Sequence, residues 1–137
     1  MIIPRLVVHN GPAAADYYIA SFGGVEQERA FLDDGRMIQS EMVIGGQPLF
    51  VTQADGVTAF GPNDLGGSPV LLTVRVDDAD ATWAKLVDGG AEEVYPLADQ
   101  FYGRREGRLR DPFGHLWIVS QLLEGAADPS APPPSSE

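Results

Sequence analysis

Residues 101–117 read Phe-Tyr-Gly-Arg-Arg-Glu-Gly-Arg-Leu-Arg-Asp-Pro-Phe-Gly-His-Leu-Trp. The Asp-Pro-Phe-Gly segment at 111–114 has the composition of a tight turn. The residues on either side of it predict a short strand over 107–110 and a buried last strand over 115–122. This stretch therefore predicts the strand, turn and strand that close the fold.

The chain resembles two copies of one supersecondary unit. A shift of 66 residues superposes residues 6–26 on residues 72–92. Internal similarity of this kind predicts two structural copies of one unit. The matched pairs are Leu6 with Leu72, Val8 with Val74, Tyr17 with Trp83, Gly23-Gly24 with Gly89-Gly90, and Glu26 with Glu92.

The first copy, over about 2–53, predicts the order βαβββ. Asn10 is a candidate N-cap, Pro12 follows in the first helical turn, and Gly23-Gly24 supplies a stop after Phe22. Asp33-Asp34-Gly35 and Gly45-Gly46 predict hairpin turns. The predicted strands are 2–8, 25–33, 37–44 and 48–53.

The second copy, over about 69–122, predicts the same order after a glycine-rich linker at 54–68. Asp77-Asp78 predicts the start of its helix, and Gly89-Gly90 predicts the end. The tail at 125–137 has little to bury, so we expect a disordered tail after a single domain over 1–124. The remaining predicted strands are 69–76, 91–96, 107–110 and 115–122.

Composition excludes several classes of function. The chain has 137 residues and no cysteine, which rules out thiolate catalysis, cysteine-ligated zinc, iron–sulfur clusters and disulfides. Its net charge of -11 disfavours nucleic acid and anionic lipid; it either attracts cationic ligands or only maintains solubility. No signal peptide or membrane span is evident, so a cytoplasmic protein is expected. Motifs for nucleophilic hydrolysis, phosphoryl transfer and dinucleotide binding are absent.

The paired βαβββ units together with the Phe-Tyr-Gly…Gly-Arg…Asp-Pro-Phe-Gly-His…Trp series at 101–117 resemble the vicinal oxygen chelate superfamily. Within it, the series is similar to the PhnB-like and bleomycin-resistance-like glyoxalase-fold branch. The resemblance implies an α+β fold whose two modules form a curved mixed-sheet cup. Such relatives are commonly homodimers, and some hold a divalent cation through His, Gln or Glu side chains from four strands.

Carried over by position, those metal ligands fall near Ile3–Arg5, near Phe50–Thr52, on Leu71 and on Ile118. None of these residues is a competent ligand, because a catalytic cation needs two or three anionic or imidazole groups converging on it. We therefore expect no metal and no other cofactor. The polar groups left for a misaligned site are His9, Gln39, Glu41 and His115.

Each of these polar groups also has a simpler interpretation. His9, at the end of the first strand, is expected to face solvent or cap the helix, and His115 to hydrogen-bond the preceding loop. Gln39 and Glu41 alternate onto one face of the third strand, where they either line the cup or face water. No catalytic residue is predicted.

Aromatic residues are the strongest candidates for binding a planar ligand by stacking. For Trp117, as for Phe22 and Trp83, an ordinary core position is the competing interpretation. Arginines at 104, 105, 108 and 110 are candidates either to clamp an anionic or carbonyl group or to neutralise nearby carboxylates. The predicted ligand-binding residues are Phe31, Gln39, Phe50, Phe60, Leu71, Phe101, Tyr102, Arg104, Arg108, Trp117 and Ile118.

The leading hypothesis, which rests on the resemblance, is a metal-free binding protein that sequesters a planar aromatic natural product or antibiotic. The ligand would lie in grooves shared by the two subunits of a homodimer, as in drug resistance of the bleomycin type. The alternative is a metal-dependent glyoxalase-like lyase, isomerase or dioxygenase that uses the residual polar set. A third hypothesis is a biosynthetic accessory or scaffold protein with no small ligand.

Overall fold

The computed structural model describes residues 1–126, and the part of the predicted tail from 127 to 137 lies outside them. The chain forms two βαβββ modules joined by a linker with one short helix. The first module contains β1 Arg5–Val8, α1 Gly11–Phe22, β2 Val25–Phe31, β3 Met37–Ile44 and β4 Gln47–Gln53. The linker contains α2 Pro62–Leu65. The second module contains β5 Leu71–Arg75, α3 Ala79–Asp88, β6 Glu92–Asp99, β7 Arg104–Arg110 and β8 Leu116–Leu122.

Each module folds into one four-stranded mixed sheet. The strand orders are β1-β4-β3-β2 and β5-β8-β7-β6, so the two sheets have the same topology. In each, the first strand pairs parallel with the fourth and the other pairs are antiparallel. The predicted α+β fold of two βαβββ modules is confirmed.

Three strand ends differ from the prediction by three residues: the starts of β1 and β7 and the end of β6. β1 begins at Arg5 and not at residue 2, where Ile2 is exposed and Pro4 has no N–H to donate. β7 begins at Arg104 and not at residue 107, because the ladder that pairs Arg105 with Asp99 extends the strand. The charged residues of this segment show no strand pattern in the sequence. β6 continues through Pro96, which an edge strand tolerates.

Helices α1 and α3 have equivalent N-caps. The Asn10 side chain accepts a hydrogen bond from the Ala13 N–H, and the Asp78 side chain accepts one from the Ala81 N–H, both at 3.1 Å. Gly23 ends α1 in the left-handed region at φ 68°. Helix α3 is two residues shorter than α1 but occupies the equivalent place in its module.

One hydrophobic core joins the two modules. It contains Leu6, Val8 and Val51 from the helix-covered face of the first sheet, and Val74 and Val119 from that of the second. Tyr18 and Phe22 of α1 cross the module boundary to contact the Trp117 ring, with ring centroids 5.6 and 4.7 Å away. Both helix-covered faces therefore point into the molecule, and the opposite face of each sheet is left open on the outside.

The Asp-Pro-Phe-Gly turn supplies the polar link within this core. Asp111 is buried, and its carboxylate accepts hydrogen bonds from the Tyr18 hydroxyl at 2.5 Å and from Trp117 Nε1 at 2.8 Å. The other carboxylate oxygen accepts from the backbone N–H groups of Phe113 and His115. Four donors thus satisfy one buried carboxylate, as a buried charge requires.

Candidate functional site

The candidate site lies on the open face of the second sheet. Cross-strand pairing places Arg108 opposite Ile118 and Glu106 opposite Ser120 on this face. Because side chains alternate along a strand, Arg104 and Arg110 share it. We call this surface the second open face, and the corresponding surface of the first sheet, which carries Arg5, Gln39, Glu41, Phe50 and Thr52, the first open face.

A cavity of about 360 Å³ opens on the second open face. Its size falls within the range of small-molecule sites, and its lining combines ring and aliphatic surface with a few polar groups. One arginine and one glutamate are its only charged lining residues among those that the structure describes. The lining residues are Tyr95, Pro96, Ala98, Gln100, Tyr102, Glu106, Gly107, Arg108 and Ile118.

Arg108 is positioned by an aromatic ring. Its guanidinium carbon lies 5.2 Å from the centroid of the Tyr95 ring, a cation–π contact between β7 and β6. Its Nε is buried and has no hydrogen-bond partner within residues 1–126. Burying an N–H without an acceptor is unfavourable, so this group stands out from the rest of the structure.

Glu106 organises the other side of the cavity. One carboxylate oxygen accepts a hydrogen bond from Ser120 Oγ at 3.2 Å, and the other accepts one from the Tyr102 hydroxyl at 3.3 Å. Partial desolvation and the Glu106 charge both raise the pKa of the Tyr102 phenol. The Gln100 side-chain amide donates to the Glu106 backbone carbonyl at 3.3 Å, which fixes the loop against β7.

The first open face has a more polar surface. The Arg5 guanidinium lies over the Phe50 ring at 5.2 Å and donates to the Thr52 hydroxyl at 2.8 Å. The Gln39 amide donates to Glu41 at 2.9 Å, so these two side chains do share one face as predicted.

The predicted ligand-binding residues are distributed over several parts of the fold. Three of them line the cavity: Tyr102, Arg108 and Ile118. Gln39 and Phe50 lie on the first open face, and Leu71 is exposed on the edge strand β5. Four others do not line the cavity: Phe31, Phe60, Phe101 and Arg104.

Two predicted aromatic residues, Phe101 and Trp117, lie at opposite extremes of exposure. Phe101 is fully exposed at the turn after β6, although its ring contacts Tyr102 edge-on at 5.1 Å. Trp117 lies on the helix-covered side in the core, which matches the competing interpretation. Its edge reaches a second cavity of about 410 Å³, which lies between β4 and β5 and has Arg75 as its charged lining residue among those described.

The four inferred metal positions do not fit a metal ion. Arg5 and Phe50 are paired on the first open face, while Leu71 and Ile118 lie on the second sheet. Across the inferred ranges Ile3–Arg5 and Phe50–Thr52, and at Leu71 and Ile118, the side chains are aliphatic, aromatic, cationic or a neutral hydroxyl, and none is an anionic or imidazole ligand. Within residues 1–126, no group of three or more His, Cys, Asp or Glu side chains is arranged to hold a metal ion.

The two histidines have structural contacts. His115 is buried, and its Nε2 donates to the Val7 backbone carbonyl at 2.9 Å, which links the turn before β8 to β1. This partner lies in the first strand and not in the preceding loop, so that detail of the prediction is wrong. His9 is exposed, as predicted, and its ring lies 5.4 Å from the Phe113 ring.

Several cavity residues were not found from the sequence, above all Tyr95, Gln100 and Glu106. Glu106 had a usable signal, because it alternates with Arg104 and Arg108. Tyr95 had none, since its position opposite Arg108 depends on irregular register between β6 and β7.

Comparison with known proteins fits this geometry. The family model for the glyoxalase/bleomycin resistance protein/dioxygenase superfamily matches residues 4–119. The chain belongs to this superfamily. Superfamily membership agrees with the two mixed sheets, and it leaves the reaction or ligand of this member to be inferred from its own site.

Relatives are found in bacteria and plants. The Mycobacterium bovis protein Mb0911c is 37% identical over 122 residues, which cover 86% of this chain and 80% of that protein. The structure of the Arabidopsis thaliana At5g48480 gene product is 28% identical, with a TM-score of 0.70 over 88% of this chain and 97% of that one. TioX from Micromonospora sp. ML1, at 24% identity and a TM-score of 0.68 over 89% of this chain and 98% of its own, shares the fold.

No helix within residues 1–126 has both the length and the apolar character needed to cross a bilayer.

Proposed function

We propose that this superfamily member binds a planar aromatic small molecule, a natural product or antibiotic, and sequesters it without breaking a bond. The observation that carries the proposal is the cavity on the second open face. Tyr95, Tyr102 and Ile118 offer it ring and aliphatic surface, and Arg108 and Glu106 lie at the same opening. A few polar groups within a mostly apolar concave surface are typical of ligand sites.

The proposal includes a homodimer. Both open faces point outward from one shared core, so a single chain supplies two separate walls. A cup with two walls forms when the first open face of one protomer covers the second open face of its partner. The exposed apolar residues beside the two edge strands, Ile2 before β1 and Val70 and Leu71 at β5, fit such an interface.

The test is calorimetric titration of the full chain with bleomycin-type, mitomycin-type and quinoline- or quinoxaline-bearing peptide drugs. We expect one of these classes to bind with a Kd of about 1 µM, or roughly -8 kcal/mol. Tyr102→Ala should weaken binding about tenfold because it removes ring surface from the cavity. Phe101→Ala is the matched control, because the Phe101 ring is next to Tyr102 in the sequence but does not line the cavity.

Metal analysis tests the enzyme alternative. Purified protein is expected to hold well under one equivalent of nickel, zinc, iron or manganese, and chelator should leave ligand affinity unchanged. Stoichiometric metal bound through Glu41 or a histidine, together with turnover of a small carbonyl or diol compound, would replace the binding-protein proposal. A flat response to every drug class and no turnover would favour the scaffold hypothesis.

A further inference from the structure

Arg108 differs from Arg29, Arg105 and Arg110 in what it contacts. Arg29 pairs with Asp16 and Glu26, Arg105 pairs with Asp80 and Asp99, and Arg110 lies 3.8 Å from Glu92. All three neutralise carboxylates, which for Arg105 and Arg110 is one of the two roles predicted from the sequence.

Three further arginines have polar contacts of their own. Arg5 donates to Thr52, Arg36 to the Gln53 carbonyl, and Arg104 to Ser120 at 3.3 Å. The guanidinium of Arg108, by contrast, contacts the Tyr95 ring, and its buried Nε has no acceptor among residues 1–126. On a chain with 20 acidic residues, an arginine that lines a cavity and forms no ion pair with the described residues is unexpected.

The position of Arg108 gives this observation a chemical meaning. The residue lines the cavity, and its guanidinium carbon lies 5.2 Å from the centroid of the Tyr95 ring. A guanidinium held in a cation–π contact presents its N–H groups as a planar fork, and the matching group is a carboxylate that accepts two parallel hydrogen bonds. The cavity surface beside it is formed by Tyr102 and Ile118, which suit a flat apolar ring system.

We propose that Arg108 binds the carboxylate of a planar aromatic acid whose ring system occupies this cavity. The inference rests on the proposed function and narrows it to a ligand class. It differs from the expectation drawn from the net charge of -11, which favours cationic ligands. Within the cavity, the positive charge of Arg108 determines the charge of the group bound there, because hydrogen bonds between charged groups are short-ranged and strong.

Glu106 lies on the same face and is compatible with this assignment. Its two carboxylate oxygens already accept hydrogen bonds from Ser120 and Tyr102, and it forms no ion pair with Arg108 in the described part of the chain. Among residues 1–126, the cavity thus has a carboxylate that accepts from two donors and an arginine whose buried Nε has no acceptor.

The experiment titrates the full chain with three probes that share one ring system and differ in charge: 2-naphthoate, 2-naphthamide and 2-naphthylmethylammonium. We expect 2-naphthoate to bind roughly tenfold more tightly than 2-naphthamide, because a charge-assisted pair is about twice as strong as a neutral hydrogen bond. The ammonium probe should bind most weakly, since Arg108 repels it.

Variants assign the preference to Arg108. Arg108→Gln should bind the acid and the amide equally, and Arg108→Lys should keep part of the preference because it retains the charge without the fork. Arg110→Gln is the matched control: it makes the same charge change on the same strand but lies outside the cavity. Thermal melting and solution mass of each variant exclude a change in folding or assembly as the cause.

The outcomes separate the two proposals. Binding of the naphthalene ring with no preference for the acid, or an acid preference that survives Arg108→Gln, overturns the carboxylate assignment and leaves aromatic binding in place. Failure of all three probes to bind overturns the carboxylate assignment, while the drug titration still decides the proposed function. A loss of dimer mass in Arg108→Gln would mean that a partner subunit, and not a ligand, supplies the acceptor.

Discussion

At the residue scale, Asp111 joins the two modules through one side chain. Its carboxylate reaches the Tyr18 hydroxyl in the first module, the Trp117 indole in the second and two backbone N–H groups of its own turn. A buried acceptor with several donors is costly to remove, because each donor left without a partner retains its desolvation cost.

Removing that carboxylate should therefore destabilise the protein strongly. We expect Asp111→Ala to lower the free energy of unfolding by about 3 kcal/mol or more. Tyr18→Phe, which deletes one of the donors and keeps the ring, should cost about 1 kcal/mol. Urea denaturation of both variants measures the difference. Equal effects of the two substitutions would show that Asp111 acts only through Tyr18.

The Tyr18 phenol also affects the stability of the protein at alkaline pH. Burial, reinforced by Asp111, raises the pKa of the Tyr18 phenol well above its ordinary value of 10.0. The unfolded chain therefore loses this proton first as pH rises. The contribution to stability is complete below pH 10 and decreases as pH rises above it. In Tyr18→Phe the fall of the free energy of unfolding above pH 10 should be shallower, as denaturation at several pH values would show. A slope unchanged from the original chain would contradict the assignment.

Residue placement was predictable where it follows from alternation along one strand. That rule put Gln39 with Glu41 on one face. It could not separate Tyr102 from Phe101, because adjacent residues in a turn follow no alternation. Tyr95 was missed because a register irregularity brings it to Arg108. Which arginines neutralise carboxylates is decided by contacts between elements, which no local pattern contains.

At the element scale, helices α1 and α3 are capped in the same manner although they differ in length. Asn10 and Asp78 accept equivalent hydrogen bonds at the starts of α1 and α3. The ends of the helices and hairpins were predictable because they depend on local residues. The helix caps are one example, and Gly45-Gly46, in which both glycines have a positive φ, is another. The ends of β6 and β7 were not predictable, because charged residues have no strong preference for a strand until a neighbour pairs with them.

The equivalent caps should contribute equally to stability. We expect Asn10→Ala and Asp78→Ala each to lower the free energy of unfolding by about 1 kcal/mol, because each leaves one helix N–H without its acceptor. Asn10→Asp and Asp78→Asn keep a side-chain acceptor and serve as controls with small effects. Chemical denaturation gives the four values, and a cost confined to one module would contradict the equivalence of the helices.

At the scale of the whole molecule, the duplicated pattern predicted two sheets but not how they face each other. That arrangement depends on Tyr18 and Phe22 packing on Trp117, a contact between residues about 100 positions apart in the chain. The modules consequently share their helix-covered sides, and the two open faces point away from one another.

This arrangement leads to a prediction about assembly. The solution mass should be twice the 14.7 kDa of the chain, as light scattering after size exclusion would measure. Leu71→Asp places a charge at the exposed apolar edge of β5 and should shift the mass toward one chain. Leu65→Asp makes the same change on the exposed surface of α2 and should not. A mass of one chain for the original protein would remove the two-subunit cup.

The hydrogen bond from His115 to the Val7 carbonyl also bears on how the protein is made. The first strand and the last turn are 108 positions apart, and the Tyr18–Asp111 bond spans 93. During synthesis the first module leaves the ribosome with Tyr18, Phe22 and the Val7 carbonyl facing water, and their partners arrive only when almost all of the chain is complete. Contacts this distant in sequence slow folding. The nascent first module is therefore the stage at which this protein most needs protection from aggregation.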